Sequence, residues 1–135
     1  MVTESGAVNV HLIGKIDIEK YRCVTPDIRT DEVIITDERI QHIKDRHPND
    51  FEIIEPFLFV ALNEPDYILE DKGKGNSGLI LKQIQDNNMR FQIVLRLHTS
   101  VDPSEFKNSV ISAWRISESR WENYVNNKKI LYKRE

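Results

Sequence analysis

The chain has 135 residues and a mass of 15.9 kDa, which is enough for one compact domain. Hydrophobic residues make up 39% of it and charged residues 30%, a balance that excludes the composition of a disordered chain. The longest apolar run, residues 57–62, is too short to span a membrane, and the single cysteine excludes an internal disulfide framework. We expect a frayed tail at residues 1–8 and one soluble, intracellular domain at residues 9–135.

The formal net charge of −3 is distributed unevenly along the chain. Residues 1–71 carry 16 acidic and 7 basic side chains, whereas residues 72–135 carry 6 acidic and 12 basic ones. A basic C-terminal half could bind a polyanion such as a nucleic acid. The alternative is a strand-rich half that displays Lys and Arg to solvent, and the overall pI of 5.8 favours that alternative.

The first half of the chain predicts extended segments followed by two helices. Alternating or β-branched apolar residues indicate extended chain over residues 8–18, 21–28 and 33–35. Thr36 is a candidate N-cap for the first helix, and Pro48 ends that helix because the residue before a proline avoids the α conformation. A second helix is expected from Phe51 to about Leu62, with Pro56 as a possible true start.

The second half of the chain predicts mainly strands. Alternation and turn residues place them over residues 67–69, 79–85, 91–97, 109–116 and 129–133. A short helix is expected over residues 118–126. Helices that precede a meandering antiparallel sheet are typical of the α+β class.

The segment around His47 is the strongest candidate for chemistry. His47 shares a helical face with Ile40 and Ile43 in the last turn, where the helix dipole favours a positively charged imidazole. Such a histidine can act as a general acid or base, although it can equally cap the last carbonyl groups of the helix. Arg46 is a neighbour of His42 at i, i+4, but an ideal helix directs His42 about 140° away from His47.

Three polar residues interrupt apolar faces of the predicted strands: Lys82, Arg96 and Ser112. Alternation places Ser112 on one face with Val110 and Trp114. A lysine and an arginine could neutralise a phosphate, a serine could donate a hydrogen bond to it, and a tryptophan could stack on a base. The alternative is that both cations point to solvent from a one-sided sheet.

Motifs for metal or nucleotide binding are not evident in the sequence. His42 and His47 are five residues apart, rather than the three or four of helical ligand pairs. The glycine-rich stretch at 73–78 lacks the Walker spacing, and neither Ser109 nor Ser112 lies in a Gly-x-Ser-x-Gly elbow. We expect no metal and no cofactor.

Several motifs in a fixed order carry a family resemblance that covers roughly residues 12–135. They are Thr30-Asp31-Glu32-Val33-Ile34-Ile35-Thr36, His42-Ile43-x-x-Arg46-His47-Pro48, Asn63-Glu64-Pro65-Asp66-Tyr67-Ile68, Leu81-Lys82, Lys107-Asn108-Ser109-Val110-Ile111-Ser112-Ala113-Trp114 and Lys129-Ile130-Leu131-Tyr132-Lys133. Together they resemble the phage-associated barnase–EndoU–colicin–RelE-like nuclease domains. Such domains often lie behind phage head-morphogenesis or minor capsid proteins.

The resemblance implies N-terminal helices packed on a four- to five-stranded antiparallel sheet and a metal-independent ribonuclease activity. It assigns His47 as the helix histidine, Arg46 as its basic neighbour and Lys82 as the strand lysine. Ser112 and Trp114 match a Ser-x-Trp layout. The implied reaction is attack of a ribose 2′-OH on the adjacent phosphate, which needs a base, an acid and cations.

The expected partner is RNA, for example tRNA, with an inhibitor or a phage structural protein as a further partner and no membrane. The residues expected to bind substrate are Trp114, Arg96, His42, Tyr132 and Lys133. The expected location is the cytoplasm or the phage particle. Two other functions are consistent with the sequence: a non-catalytic module of the phage particle, and an RNA-binding protein that does not cleave.

Overall fold

The computed structural model describes residues 9–86 and 88–135, so the tail expected at residues 1–8 lies outside the described part. The described residues form strands β1 to β7 at Val10–Lys15, Glu32–Thr36, Tyr67–Glu70, Ser77–Ile84, Met89–Arg96, Asn108–Arg115 and Ile130–Lys133. They form helices α1 to α5 at Ile18–Tyr21, Asp37–Arg46, Asp50–Ile54, Leu58–Asn63 and Glu118–Asn127, with a 3-10 turn at Glu55–Phe57. None of these helices is long and apolar enough to cross a membrane.

The seven strands form one mixed sheet in the order β1-β2-β6-β5-β4-β3-β7. Neighbouring strands are antiparallel except β2 and β6, which pair in parallel through Val33 with Asn108 and Ile34 with Ser109. The α+β class is therefore confirmed, whereas a purely antiparallel sheet of four to five strands was wrong. The N-terminal strands β1 and β2 join one edge through the parallel pair, and the helices are distributed along the chain rather than confined to its start.

Helix α2 begins and ends where the sequence predicts. The Thr36 hydroxyl accepts a hydrogen bond from the backbone N–H of Arg39 at 3.2 Å, which satisfies one free donor of the first turn. The helix ends at Arg46, and His47 has φ −135° and ψ 74° because it precedes Pro48. His47 therefore lies just outside the helix, not within its last turn.

Two other predicted elements differ from the structure. The helix expected over residues 51–62 is divided into α3, the 3-10 turn and α4, because Pro56 cannot donate the backbone hydrogen bond of a continuous helix. Residues 21–28 were expected to be extended, but α1 ends at Tyr21 and a turn follows over residues 22–24. The N-cap of α1, Asp17, accepts a hydrogen bond from the backbone N–H of Glu19 at 3.1 Å.

The first face of the sheet is covered by helices α2, α3 and α4. Here the main core forms around fully buried residues of the sheet and helices: Val33, Ile43, Ile54, Leu62, Ile68, Ile80, Phe91 and Ile93. The burial of Ile43 positions α2 beside β6. Because β2 pairs with only two residues of β6 before the chain turns into α2, the end of α2 lies along the remainder of β6.

Among the helices described above, α5 is the one that packs on the second face of the sheet. Trp121, Tyr124 and Val125 of α5 pack on a smaller core of Leu69, Leu79 and Leu81. This core lies over β3 and β4, so a groove remains on the second face over β5 and β6. The groove is a concave surface that strand pairing and helix packing create together.

A bulge in β6 changes which residues face this groove. In the register with β5, Leu95 pairs with Val110 and Val94 pairs with Ser112, which leaves Ile111 as the extra residue. Val110 is fully buried in the main core, whereas Ser112 faces the groove. The expectation that Val110 and Ser112 share a face was therefore wrong, because the bulge shifts the alternation by one residue.

Candidate functional site

The groove lies on the second face between the end of α2 and helix α5 and has a volume of about 790 Å³. Its floor comes from β4, β5 and β6, and its walls come from α2, α5 and the loop after β3. The lining residues are His42, Arg46, His47, Asp71, Lys74, Leu79, Gln92, Val94, Ile111, Ser112, Trp114, Arg115, Ile116, Ser117, Arg120 and Tyr124. A groove of this size and polarity can admit a nucleotide.

His47 is stacked on Trp114 at the wall formed by α2. The two ring centroids are 4.7 Å apart and the ring planes differ by 12°. The backbone N–H of His47 donates to the carbonyl of Ile43 at 2.8 Å, so both the backbone and the ring of this histidine are fixed. A fixed imidazole at the edge of an open groove can exchange a proton with a bound ligand.

The groove is rich in positive charge. The described lining residues include one carboxylate, Asp71, against the cationic side chains of Arg46, Lys74, Arg115 and Arg120. A cleft that is lined mainly by positive charges raises the local concentration of an anionic ligand, because its low-dielectric walls focus the electric field. The site therefore favours a phosphate-bearing molecule.

Arg115 is positioned by Asp50, the first residue of α3. Its guanidinium Nε donates to Asp50 Oδ1 at 2.8 Å, and its backbone N–H donates to Oδ2 at 2.9 Å. Asp50 is buried, so this double contact connects the first-face helices to the end of β6. Arg120 lies on the opposite wall, with its guanidinium 5.9 Å from the ring centroid of Tyr124.

Gln92 is a buried polar residue of the groove floor. Its residue exposure is 2%, and its Oε1 has no hydrogen-bond partner among the described residues. It pairs with Trp114 across the β5–β6 ladder and with Leu81 across the β4–β5 ladder. Unpaired buried acceptors are rare in folded proteins, so this amide calls for a functional explanation.

The structure brings together five of the nine residues singled out in the sequence: His42, Arg46, His47, Ser112 and Trp114. The expected angle of about 140° between His42 and His47 applies to an ideal helix. The angular argument assumes that both histidines are helical, whereas His47 has left the helix. Both histidines therefore line one groove.

Lys82 does not belong to the groove. It shares the first face with Ile80 and Ile84, as strand alternation predicts, but this face is the one that the helices cover. Its Nζ donates to the carbonyl of Glu64 at 2.6 Å and lies 3.8 Å from a carboxylate oxygen of Asp66. Lys82 thus stabilises the end of α4, across the sheet from Ser112.

The other three predicted substrate-binding residues also lie outside the groove lining. Arg96 is paired with Asp102, its Nη2 lying 2.6 Å from Oδ1. Tyr132 packs against the main core, with Lys20 Nζ 5.7 Å from its ring centroid. Lys133 is exposed on the edge strand β7, four strand positions from β6, which corresponds to about 19 Å at the usual strand spacing.

Sequence reasoning missed the groove residues contributed by other segments. Lys74 comes from the glycine-rich turn, Arg120 from α5, and Gln92 from a strand position that reads as an ordinary polar residue of an alternating strand. The charge count of the C-terminal half was the signal available for Lys74 and Arg120. No sequence signal distinguishes Gln92 from a solvent-facing glutamine.

The mixed α+β fold thus carries a cationic groove that contains two histidines. Residues 9–133 match the family model described as PBECR2, phage-Barnase-EndoU-ColicinE5/D-RelE like nuclease2. The chain belongs to this family, which confirms the resemblance seen in the sequence. No curated protein and no solved structure matches the chain.

Proposed function

We propose that this chain is a metal-independent endoribonuclease that cleaves RNA by attack of a ribose 2′-OH on the adjacent phosphate. The observation that carries the proposal is the stack of His47 on Trp114 in a cationic groove of a nuclease-family domain. The stack presents an oriented proton acceptor, and the surrounding cations favour a phosphodiester.

Two histidines provide the two proton transfers that this reaction requires. His47 takes the proton of the 2′-OH as the 2′ oxygen forms a bond to phosphorus. His42, in its protonated form, donates a proton to the 5′ oxygen as the bond between phosphorus and that oxygen breaks. The products are a 2′,3′-cyclic phosphate and a free 5′-OH, so the protons and bonds balance.

Positive side chains and a hydroxyl stabilise the transition state. Arg46, next to His47 in the chain, neutralises charge on the non-bridging oxygens, and Arg120 and Lys74 attract the flanking phosphates. Ser112 donates a hydrogen bond from the groove floor to a phosphate oxygen. Lys82 has no role in this mechanism because it lies on the other face of the sheet.

The cationic side chains of the groove can take the place that a metal ion would have at the phosphate, because they supply positive charge there. Asp71 is the one carboxylate among the described lining residues.

The test is incubation of the purified chain with total tRNA and rRNA in EDTA. Wild type is expected to give discrete fragments that end in a cyclic phosphate, and His47→Ala is expected to lower their rate of appearance at least about 100-fold. The matched control is His11→Ala, because His11 is exposed on β1 and bonded to Asp37, away from the groove.

Other outcomes of this experiment separate the alternatives. Intact RNA with wild type and with His47→Ala contradicts the ribonuclease for these substrates. If RNA is retained in a salt-dependent manner without cleavage, the domain binds RNA only. If RNA is neither cleaved nor retained, a non-catalytic module of the phage particle becomes the better description.

A further inference from the structure

The geometry points to Gln92 as a specificity-determining residue that accepts a hydrogen bond from the amino group of a nucleobase, so that the groove prefers cytosine or adenine to uracil. This inference rests on the proposed ribonuclease function and names the part of the substrate that the groove recognises. Three observations support it: Gln92 is buried, its side-chain oxygen has no partner among the described residues, and it pairs across the strands with Trp114.

The first observation is the unmet hydrogen bond. Gln92 is 2% exposed, yet its Oε1 has no partner among the described residues. A buried acceptor without a partner is unfavourable, and such a group is retained where a ligand supplies the missing donor. Buried side-chain atoms without a partner also occur in Asn9 and His98 among the described residues, but of these three residues Gln92 is the one that lines the groove.

The second observation is the position of this amide relative to the phosphate-binding groups. Gln92 is the direct cross-strand neighbour of Trp114, whose indole stacks on His47. Directly opposite side chains on adjacent strands have Cβ atoms about 5 Å apart. Gln92 therefore lies next to the residue on which His47 stacks, and we expect the base of a nucleotide whose phosphate contacts His47 to reach this part of the floor.

The chemistry of the unpaired atom indicates which bases fit. The amide oxygen accepts hydrogen bonds and cannot donate them. Cytosine and adenine present an exocyclic amino donor, whereas uracil presents a carbonyl oxygen at the same place as the amino group of cytosine. The last torsion of a glutamine side chain is soft, so Oε1 can rotate toward a donor on the base. A base that offers only a carbonyl to this amide would still leave Oε1 without a partner.

The experiment measures binding of 3′-CMP and 3′-UMP to the full chain by NMR titration, alongside thermal unfolding. The two nucleotides differ only at the amino or carbonyl group of the base and the adjacent ring nitrogen. Wild type is expected to bind 3′-CMP about fivefold to tenfold more tightly than 3′-UMP. Gln92→Met, which keeps the volume of the side chain and removes its amide, is expected to abolish this difference.

Thermal unfolding separates recognition from a structural role. Gln92→Met is expected to raise the Tm of the free protein, because the variant no longer buries an unpaired oxygen. The matched control, Gln85→Met, changes an exposed glutamine outside the groove and is expected to leave the base preference unchanged. A lower Tm of Gln92→Met together with an unchanged base preference would overturn the inference.

The binding assay also separates this inference from the proposed catalysis. If the chain prefers 3′-CMP through Gln92 but cleaves no RNA, the result supports base recognition by Gln92 and contradicts the proposed ribonuclease activity. If the chain cleaves RNA but binds 3′-CMP and 3′-UMP equally, the result supports the ribonuclease activity and contradicts base recognition by Gln92.

Discussion

The imidazole of His47 lies flat on the indole of Trp114, with ring centroids 4.7 Å apart and planes 12° from parallel. One ring belongs to the residue that directly follows α2 and the other to β6, so the stack connects the helix layer to the open face of the sheet. It orients the proposed general base by packing its ring against the indole. Trp114 is therefore a positioning residue in the proposed reaction.

Loss of the indole is expected to slow catalysis. Trp114→Ala should lower kcat by about tenfold, since an aromatic pair contributes on the order of 1 kcal/mol beyond burial. Trp114→Phe retains an aromatic ring and should keep kcat within about threefold of wild type. The measurement is the steady-state cleavage rate of a fluorescent oligoribonucleotide.

Trp121 provides the control for this prediction, because it packs in the smaller core and does not line the groove. Trp121→Leu should lower the Tm without lowering kcat at temperatures well below the transition. Equal values of kcat for wild type, Trp114→Phe and Trp114→Ala would show that the stack does not orient the base.

Removal of the Asp50 carboxylate is expected to destabilise the fold. Asp50 accepts from both the backbone and the side chain of Arg115, so Asp50→Ala leaves two donors without their charged partner. The expected loss is about 2–3 kcal/mol in the free energy of unfolding, measured in urea. Glu52→Ala on the same helix removes an exposed contact with Lys44 at 3.5 Å and should cost no more than about 0.5 kcal/mol.

Lys82 offers a test of its structural assignment. Lys82→Met removes the bond to the Glu64 carbonyl and should lower the free energy of unfolding by about 1–2 kcal/mol. The folded variant should cleave RNA at a rate within about twofold of wild type, because the ammonium group lies across the sheet from the groove. A cleavage rate lowered by about two orders of magnitude, as expected for a group that acts on the phosphate, would contradict the assignment.

The salt dependence of RNA binding should report which cations contact phosphate. Arg120→Ala should reduce the magnitude of the slope of log K against log salt concentration by about 0.7, the value for one contact to a single strand. Lys133→Ala should leave the slope unchanged, since Lys133 lies at the far edge of the sheet. Filter binding of a labelled oligoribonucleotide over a salt series provides the measurement, and equal slopes for wild type and Arg120→Ala would remove Arg120 from the contact surface.

Acid is expected to weaken the loop after β5. The backbone N–H of Thr99 and the guanidinium of Arg96 hold the pKa of Asp102 below its ordinary value of 3.8. Because the folded-state pKa is lowered, this stabilisation is complete above the unfolded value and is lost as the pH falls through the folded one. The difference in Tm between wild type and Asp102→Asn should be largest at neutral pH and should shrink below about pH 4. A difference that stays constant from pH 7 to pH 3 would contradict this account.

Signals that act between neighbouring residues predicted the helix and strand segments well where no distant contact intervened. The hydroxyl of Thr36 and the ring of Pro48 set the two ends of α2, and both effects operate within a few residues. Alternation located β5 and showed that Lys82 shares a face with Ile80 and Ile84. Alternation does not show which face the helices cover, and this is why Lys82 was assigned to the site.

The candidate site was only partly predictable for the same reason. Arg46, His47, Ser112 and Trp114 belong to motifs, and they do meet in the groove. The bulge at Ile111 leaves no mark in the apolar pattern, so the separation of Val110 from Ser112 could not be read from it. The pairing of an individual cation, such as that of Arg96 with Asp102, also depends on how a loop folds back.

Residue order alone was enough to establish the family, the α+β class and most of the segments that become helices and strands, because capping, proline sterics and side-chain alternation act between near neighbours in the chain. The order of the seven strands, the covered and open faces of the sheet, and the groove that unites α2, β5, β6 and α5 emerge only when the chain is folded. These features arise from contacts between distant segments, whose packing and strand register determine which polar groups become buried, paired or open to a ligand.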